Sequence, residues 1–389
     1  MELTNALNRI DTIRTPYYLY DINILERTLG ILKKLLKVNG FKVHYAVKAN
    51  SNSRIMQRIA RSGLGADCVS GNEILKALEC GFRSDEIVYA GVGKTDAEIE
   101  TALRNNIFCI NCESIQEIRV VDEIASKLDC VARIALRLNP DVNPETHRYI
   151  STGNGYTKFG INISGLDAVL DVTGSLLHTR LTGLHFHVGS QIGNMDVFRD
   201  LCFVINEMQN KLESRGINIG HINVGGGLGI NYYDPDKNLV PDFESYFQVF
   251  CDHLKIRPGR QLHFELGRSI VAQCCSLICR VLYTKTNGPA NFVITDAGMT
   301  ELIRPALYEA YHKIHNLTKE SASNYCPETE LYDVVGPICE TSDFLGKNIS
   351  LPLTERGDLL AVRSVGAYGE VMASNYNLRD KAKAYFLNN

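Results

Sequence analysis

Between residues 43 and 268 one pattern returns eight times: a short β-rich apolar run, closed by a polar residue or glycine, then a stretch with helical periodicity. The runs are VHYAVKAN (43–50), GADCVS (65–70), EIVYAG (86–91), IFCINCE (107–113), ARIALRLNP (132–140), LTGLHFHVG (181–189), HINVGGG (221–227) and LHFELGR (262–268). Between them lie segments such as SRIMQRIARSG, GNEILKALECG and MDVFRDLCFVINEMQNKLESRG, whose apolar residues recur at three and four and which stop at glycine. Serial βα units of this kind close into an α/β fold of the (β/α)8 type, a TIM-type barrel with its chemistry at the C-terminal ends of the strands. Lys48, Asp67, Ser70, Asn111, Arg137, Asn139, His187, Glu265 and Arg268 fall at those ends.

Beyond about residue 270 the helical crossovers stop. SLICRVLYTK, NFVITDAG, LYDVVGPICE and GDLLAVRSVGAYG are strand-like and separated by turn residues, which predicts a second domain resembling a β-sandwich or β-barrel. TPYYLYDINIL (15–25) also reads as a strand and is expected to pair with it. The division expected is therefore a barrel over 26–270 and a β domain made of 1–25 plus 271–389. A chain of 389 residues with 45% hydrophobic and 22% charged residues has ample apolar surface for both.

A formal charge of -3, with both signs interspersed, gives no broad positive field for nucleic acid or an anionic membrane. No apolar run reaches bilayer-spanning length and the first residues do not resemble a signal peptide, so a cytoplasmic protein acting on a small molecule is expected. Twelve scattered cysteines fit buried free thiols better than a disulfide framework. Cys109 and Cys112 of CINC lie in a strand-like run without a second CxxC, which favours core packing over zinc.

Several residues have the chemistry of a site. Lys48 follows apolar and aromatic residues, an environment that weakens an ammonium and frees an amine to attack an aldehyde. His185 and His187 alternate; they suit stacking on a planar ring or core hydrogen bonding better than a metal, because no acidic third ligand is near. VGGGLGI (224–230) offers unobstructed backbone for a phosphate, yet lacks dinucleotide GxGxxG spacing and a Walker lysine. Glu265 suits a protonated pyridine nitrogen, which turns the ring into an electron sink, and Arg268 suits a carboxylate. RPALYEAYH (304–312), GPICETSDFL and GAYGEVMAS (366–374) mix polar groups with small and apolar ones, and taken alone fit an interdomain surface equally well.

TPYYLYD, HYAVKAN, GADCVSGNEI, HFHVGSQ, NVGGGLGI, FELGR, RPALYEAYH, GPICETSDF and GAYGEVMASNYN occur in this order over nearly the whole chain. In them the chain resembles the alanine-racemase-like, fold type III family of pyridoxal-phosphate decarboxylases. The resemblance implies pyridoxal 5'-phosphate as cofactor, no metal, and a head-to-tail homodimer in which each β domain completes the partner's site. It implies that Lys48 carries the cofactor, that His187 stacks on its ring, and that Asp67, Ser190, Gly225, Gly226, Gly227, Glu265, Gly267, Arg268 and Tyr368 surround it. Arg268, Arg304 and Tyr308 would hold the substrate's far carboxylate, Glu340 its far ammonium, Tyr368 would also touch the substrate, and Cys339 would protonate the carbanion.

A far carboxylate and a far ammonium together imply decarboxylation of meso-2,6-diaminopimelate to L-lysine and CO2, the last step of lysine biosynthesis. Ornithine, arginine, lysine or carboxynorspermidine decarboxylation is the alternative, and a non-catalytic cofactor-binding protein is the alternative from a different class. A racemase of this fold would have arginine where Glu265 stands. The chain departs from the family pattern at Leu266, where proline is usual, at Asn72, where glycine is usual, and in the short tail AKAYFLNN, which is expected to lack the last strand.

Overall fold

The computed structural model describes residues 12–140, 142, 157–322 and 328–387. The chain forms two compact units: a barrel unit of 29–229 and 242–267, and a sheet unit of 1–28, 230–241 and 268–389. Residues 1–11 of the expected β domain lie outside the described residues.

With strands numbered along the chain, β1 (Tyr17–Asp21) belongs to the sheet unit. The barrel strands are β2 (Lys42–Ala46), β3 (Gly65–Cys68), β4 (Ile87–Tyr89), β5 (Cys109–Cys112), β6 (Ala132–Asn139), β8 (Thr179–His185), β9 (His221–Asn223) and β10 (Gln261–Leu266), while β7 (Ile161–Asn162) is a short addition to β6. Their order is β5-β4-β3-β2-β10-β9-β8-β6, and a β5–β6 pairing closes the ring with every neighbour parallel. All eight predicted runs therefore supply a barrel strand.

Short polar residues start the crossover helices at the strands' C-terminal ends. Asn52, Ser70, Thr95, Ser114 and Asp242 each accept a hydrogen bond from a backbone N–H of the first turn, and Thr95 forms a reciprocal box with Glu98. Glycines in the left-handed region, such as Gly63 and Gly216, then turn the chain at the far ends of two helices.

The barrel interior carries three histidines. His44, His221 and His263 are each at most 3% exposed and pack around Phe108. Room for them comes from glycines: a Cβ at Gly65 would lie 2.6 Å from His44 Nδ1, and one at Gly183 would lie 2.3 Å from the His221 ring. His44 Nδ1 faces the Glu86 carbonyl at 2.9 Å, so it donates there, and its Nε2 accepts from His263 Nδ1 at 2.9 Å. The chain of contacts runs on from His263 Nε2 to Gln261 Oε1 at 3.4 Å.

Burial lowers all three from the ordinary value of 6.5, His221 to about 3. The unfolded chain takes up these protons first, so the stabilisation is complete above pH 6.5 and is lost as pH falls from there toward 3. For His221, keeping the ring neutral at pH 5 costs about 2 kcal/mol. We expect the urea midpoint of the barrel, followed by far-UV circular dichroism, to drop steeply from pH 7 to pH 5 and to drop less in His221→Leu. Equal drops in the two proteins would remove His221 from this account.

In the sheet unit, β11 (Cys275–Asn287) is flanked by antiparallel β1, β12 (Ala290–Thr295) and β16 (Leu359–Val362). The order β13-β16-β11-β12-β14-β15 is completed by β13 (Ile314–Asn316), β14 (Thr329–Val335) and β15 (Phe344–Pro352). Two expectations are corrected. Residues 22–25 open the helix Ile22–Asn39 and do not extend β1. The tail does not lack a strand: β17 (Lys383–Leu387) runs parallel to β1 in full register. Its aromatics explain the pairing, since Tyr385 meets Tyr17 edge-on at 5.3 Å and Phe386 stacks on Tyr20 at 5.2 Å.

Candidate active site

Lys48 sits in a single 3-10 turn, Val47–Ala49, immediately after β2, with Val47 and Ala49 buried on either side of it. The turn is pinned from β10: a Cβ on Gly267 would lie 2.9 Å from the Ala49 Cβ and 3.0 Å from that of Ala46, so only glycine fits there. Lys48 Nζ donates to Asp67 Oδ2 at 2.6 Å; the Lys48 side chain is 41% exposed and that of Asp67 is wholly enclosed. Burial and the nearby Glu265 raise the Asp67 carboxyl to about 6 against the pull of Lys48. Among the described residues Asp67 Oδ1 has no hydrogen-bond partner, so the carboxylate retains an acceptor site.

Glu265 is the centre of a buried network. Its Oε2 accepts from His185 Nε2 at 2.9 Å, and its Oε1 from Asn223 Nδ2 at 2.8 Å and Asn111 Nδ2 at 3.3 Å. Burial alone would push this carboxyl up; the His185 contact and the Lys48 charge outweigh it and hold Glu265 well below the ordinary range. His185 is therefore the hydrogen-bonded core histidine of the pair, whereas His187 lies two residues past the end of β8. His187 Nδ1 accepts from Gly226 N at 3.3 Å, and the surrounding protein with Arg137 and Lys48 lowers the ring to about 3, so it is neutral.

The glycine run lies close against neighbouring backbone. A Cβ on Gly226 would be 1.9 Å from the Glu265 carbonyl oxygen and one on Gly225 2.4 Å from that of Phe186, and Gly225 and Gly227 have φ of +70° and +114°. Gly225 N donates to Asn223 Oδ1 at 2.9 Å, so this amide and that of Gly226 already serve side chains that touch Glu265 or include His187. Leu266, in the place of the family's proline, is the last residue of β10 and pairs with Tyr45, which restrains the turn through the sheet. Asn72 lies in the first turn of the helix Gly71–Glu79. Ser190 is exposed on the segment after β8. An amine beside a buried carboxylate, a second carboxylate kept anionic, and a glycine run that admits no side chain together match the needs of a pyridine ring that carries an aldehyde and a phosphate.

The sheet unit carries a cationic cluster of its own. Arg268 and Arg304, the latter 6% exposed, both donate through Nη1 to the hydroxyl of Tyr232, at 2.8 and 3.0 Å. Arg304 Nη1 also contacts His312 Nε2 at 2.7 Å, and the Arg268 guanidinium lies over the Tyr368 ring at 4.9 Å. Tyr308 ends the short helix Arg304–Tyr308 and is 64% exposed. Cys339 and Glu340 are exposed; Cys339 N donates to Asn377 Oδ1 at 3.1 Å and Glu340 Oε1 accepts from Tyr376 at 2.5 Å. Asn223 and Tyr232 were not foreseeable as single residues, although Asn223 shares the strand phase of His221 and so was fixed to face inward.

The fold and these side chains define a pyridoxal-dependent decarboxylase, and residues 23–272 match the family model for the pyridoxal binding domain of those enzymes. The chain belongs more narrowly to the diaminopimelate decarboxylase family. It is 51% identical over 380 residues to the diaminopimelate decarboxylase of Bacteroides thetaiotaomicron, covering 97% of each chain, and 42% identical over 367 residues to that of Vibrio cholerae, covering 94% of this chain and 86% of the relative. The crystal structure of diaminopimelate decarboxylase from Helicobacter pylori complexed with L-lysine superposes with a TM-score of 0.87 at 37% identity, over 98% of this chain and 93% of that one.

Proposed function

We propose that the protein converts meso-2,6-diaminopimelate to L-lysine and CO2, with pyridoxal phosphate attached at Lys48. The observation that carries this reading is Glu265, a buried carboxylate held anionic by His185 and fixed in place by Asn223. When bound, pyridoxal phosphate supplies an aromatic ring that accepts the electron pair left behind as CO2 departs. Glu265 would hold a proton on the ring nitrogen, and neutral His187 would offer a flat face that adds no competing positive charge. Asp67 holds the Lys48 amine while its unpartnered oxygen stays available to a polar group. Ser190, the Gly225 to Gly227 run, Gly267, Arg268 and Tyr368 contribute the surrounding contacts.

One proton must replace the departing carboxyl group on the α-carbon, and we assign its delivery to the partner subunit's Cys339. The partner subunit's Glu340 takes the substrate's far ammonium, which makes the active form a homodimer. Arg268, Arg304 and Tyr308 take the far carboxylate as charge-assisted hydrogen-bond donors. Ornithine and lysine have no second carboxylate to offer these arginines. No helix among the described residues is long and apolar enough to cross a membrane, and with a soluble substrate we place the enzyme in the cytoplasm.

Purified protein incubated with pyridoxal phosphate and meso-diaminopimelate is expected to release L-lysine and CO2 in equal amounts, read by chromatography. Turnover of ornithine without L-lysine formation from diaminopimelate would overturn the substrate assignment.

A further inference from the structure

Within the sheet unit, the hydroxyl of Tyr232 has a defined hydrogen-bond inventory. It carries one proton and two lone pairs, and N–H groups of Arg268 and Arg304 occupy both lone pairs at 2.8 and 3.0 Å. Its own proton meets no acceptor among the described residues, although the side chain is buried with 6% of its surface exposed. Three donors thus converge on one place: two guanidinium forks and the O–H that links them.

His312 is constrained as tightly. Its Nδ1 faces the Arg363 carbonyl oxygen at 2.8 Å and must donate to it, so Nε2 carries no proton and accepts from Arg304 Nη1 at 2.7 Å. The ring also meets Tyr232 edge-on at 4.9 Å. Arg304 is held on one side by the acceptor nitrogen of a neutral ring, whose tautomer the Arg363 contact selects, and on the other by the tyrosine.

We propose that Tyr232 is a specificity-determining residue that donates its hydroxyl proton to the substrate's far carboxylate, and that His312 is a positioning residue for Arg304. This rests on the reading of Arg268 and Arg304 as carboxylate ligands. It adds a neutral donor to the pair of charges and explains how two arginines stand together before substrate arrives: each shares the tyrosine oxygen, and their repulsion is relieved when the carboxylate binds.

The product separates this role from a structural one. Decarboxylation at one end leaves the far amino and carboxyl groups on L-lysine, whereas cadaverine lacks the carboxylate and keeps both amines. In the cofactor-loaded enzyme, Tyr232→Phe is expected to raise KM for meso-diaminopimelate and Ki for L-lysine about tenfold, to leave kcat within about twofold, and to leave inhibition by cadaverine unchanged. His312→Phe is expected to give the same pattern, and His312→Gln, which keeps an acceptor, to recover most of it. Unchanged L-lysine inhibition in Tyr232→Phe overturns the proposal, as does a parallel loss for L-lysine and cadaverine, which marks a merely structural role. Arg304→Ala tests the underlying reading: if it leaves L-lysine inhibition untouched, the assignment of the arginines fails instead.

Discussion

Replacing Lys48 by alanine is expected to abolish the long-wavelength absorbance of the cofactor-loaded protein and to lower kcat by about three orders of magnitude or more. On the proposed assignment the amine would anchor the cofactor, and Asp67 places it at 2.6 Å, so its loss would remove attachment and orientation together. The buried Lys94 cannot substitute. Its side chain is 1% exposed and its ammonium is committed to the Gly91 and Asn111 carbonyls, each at 2.7 Å, and to Glu117. Absorbance spectra of the two proteins after desalting decide the matter; a retained band in Lys48→Ala would move the attachment site elsewhere. Mixing Lys48→Ala with Glu340→Ala protein should restore part of the activity through hybrid dimers, because one of the two sites then carries both native residues. No recovery, with subunit exchange confirmed, would reject sharing of sites between subunits.

Glu265→Gln is expected to lower kcat by about a hundredfold to a thousandfold while the cofactor still binds. The substitution is nearly isosteric, but it removes the negative charge, and its amide nitrogen would face a donor in either orientation, Asn223 Nδ2 on one side or His185 Nε2 on the other. Single-turnover kinetics at saturating cofactor separate the chemical step from binding. A kcat within threefold of the native value would mean that Glu265 is structural.

Much of the barrel is written in the sequence itself. The eight barrel strands are legible because each apolar run is bounded by glycine or a capping residue and followed by a helix of period 3.6, and the two signals reinforce each other. Lys48 is legible as a strand-end residue, although it stands one turn further on, in a 3-10 segment too short to leave a periodic trace. The interior histidines were hidden by their neighbours, since VHYAV and LHFEL read as apolar strands. Period-two phasing was the usable signal: His221 and His263 stand two residues before Asn223 and Glu265 and face the same way.

Tyr232 left no trace of this kind. NYYDPD is a loop by composition, and nothing in it says that residues 230–241 join the sheet unit and bring a hydroxyl to two arginines far along the chain. The tail strand was missed because a parallel partner for β17 comes from the other end of the sequence, at a distance no local pattern reports.

That pairing has a consequence for synthesis. Strand β1 leaves the ribosome early, yet its antiparallel neighbour begins at Cys275 and its parallel neighbour at Lys383, so it stays without a partner on either side while the whole barrel is translated. A strand with two unmet edges and four buried aromatic or leucine side chains is a hazard for association with other nascent chains. Only when Lys383–Leu387 have emerged can the sheet be completed, and synthesis halted before them leaves a finished barrel and an unfinished sheet.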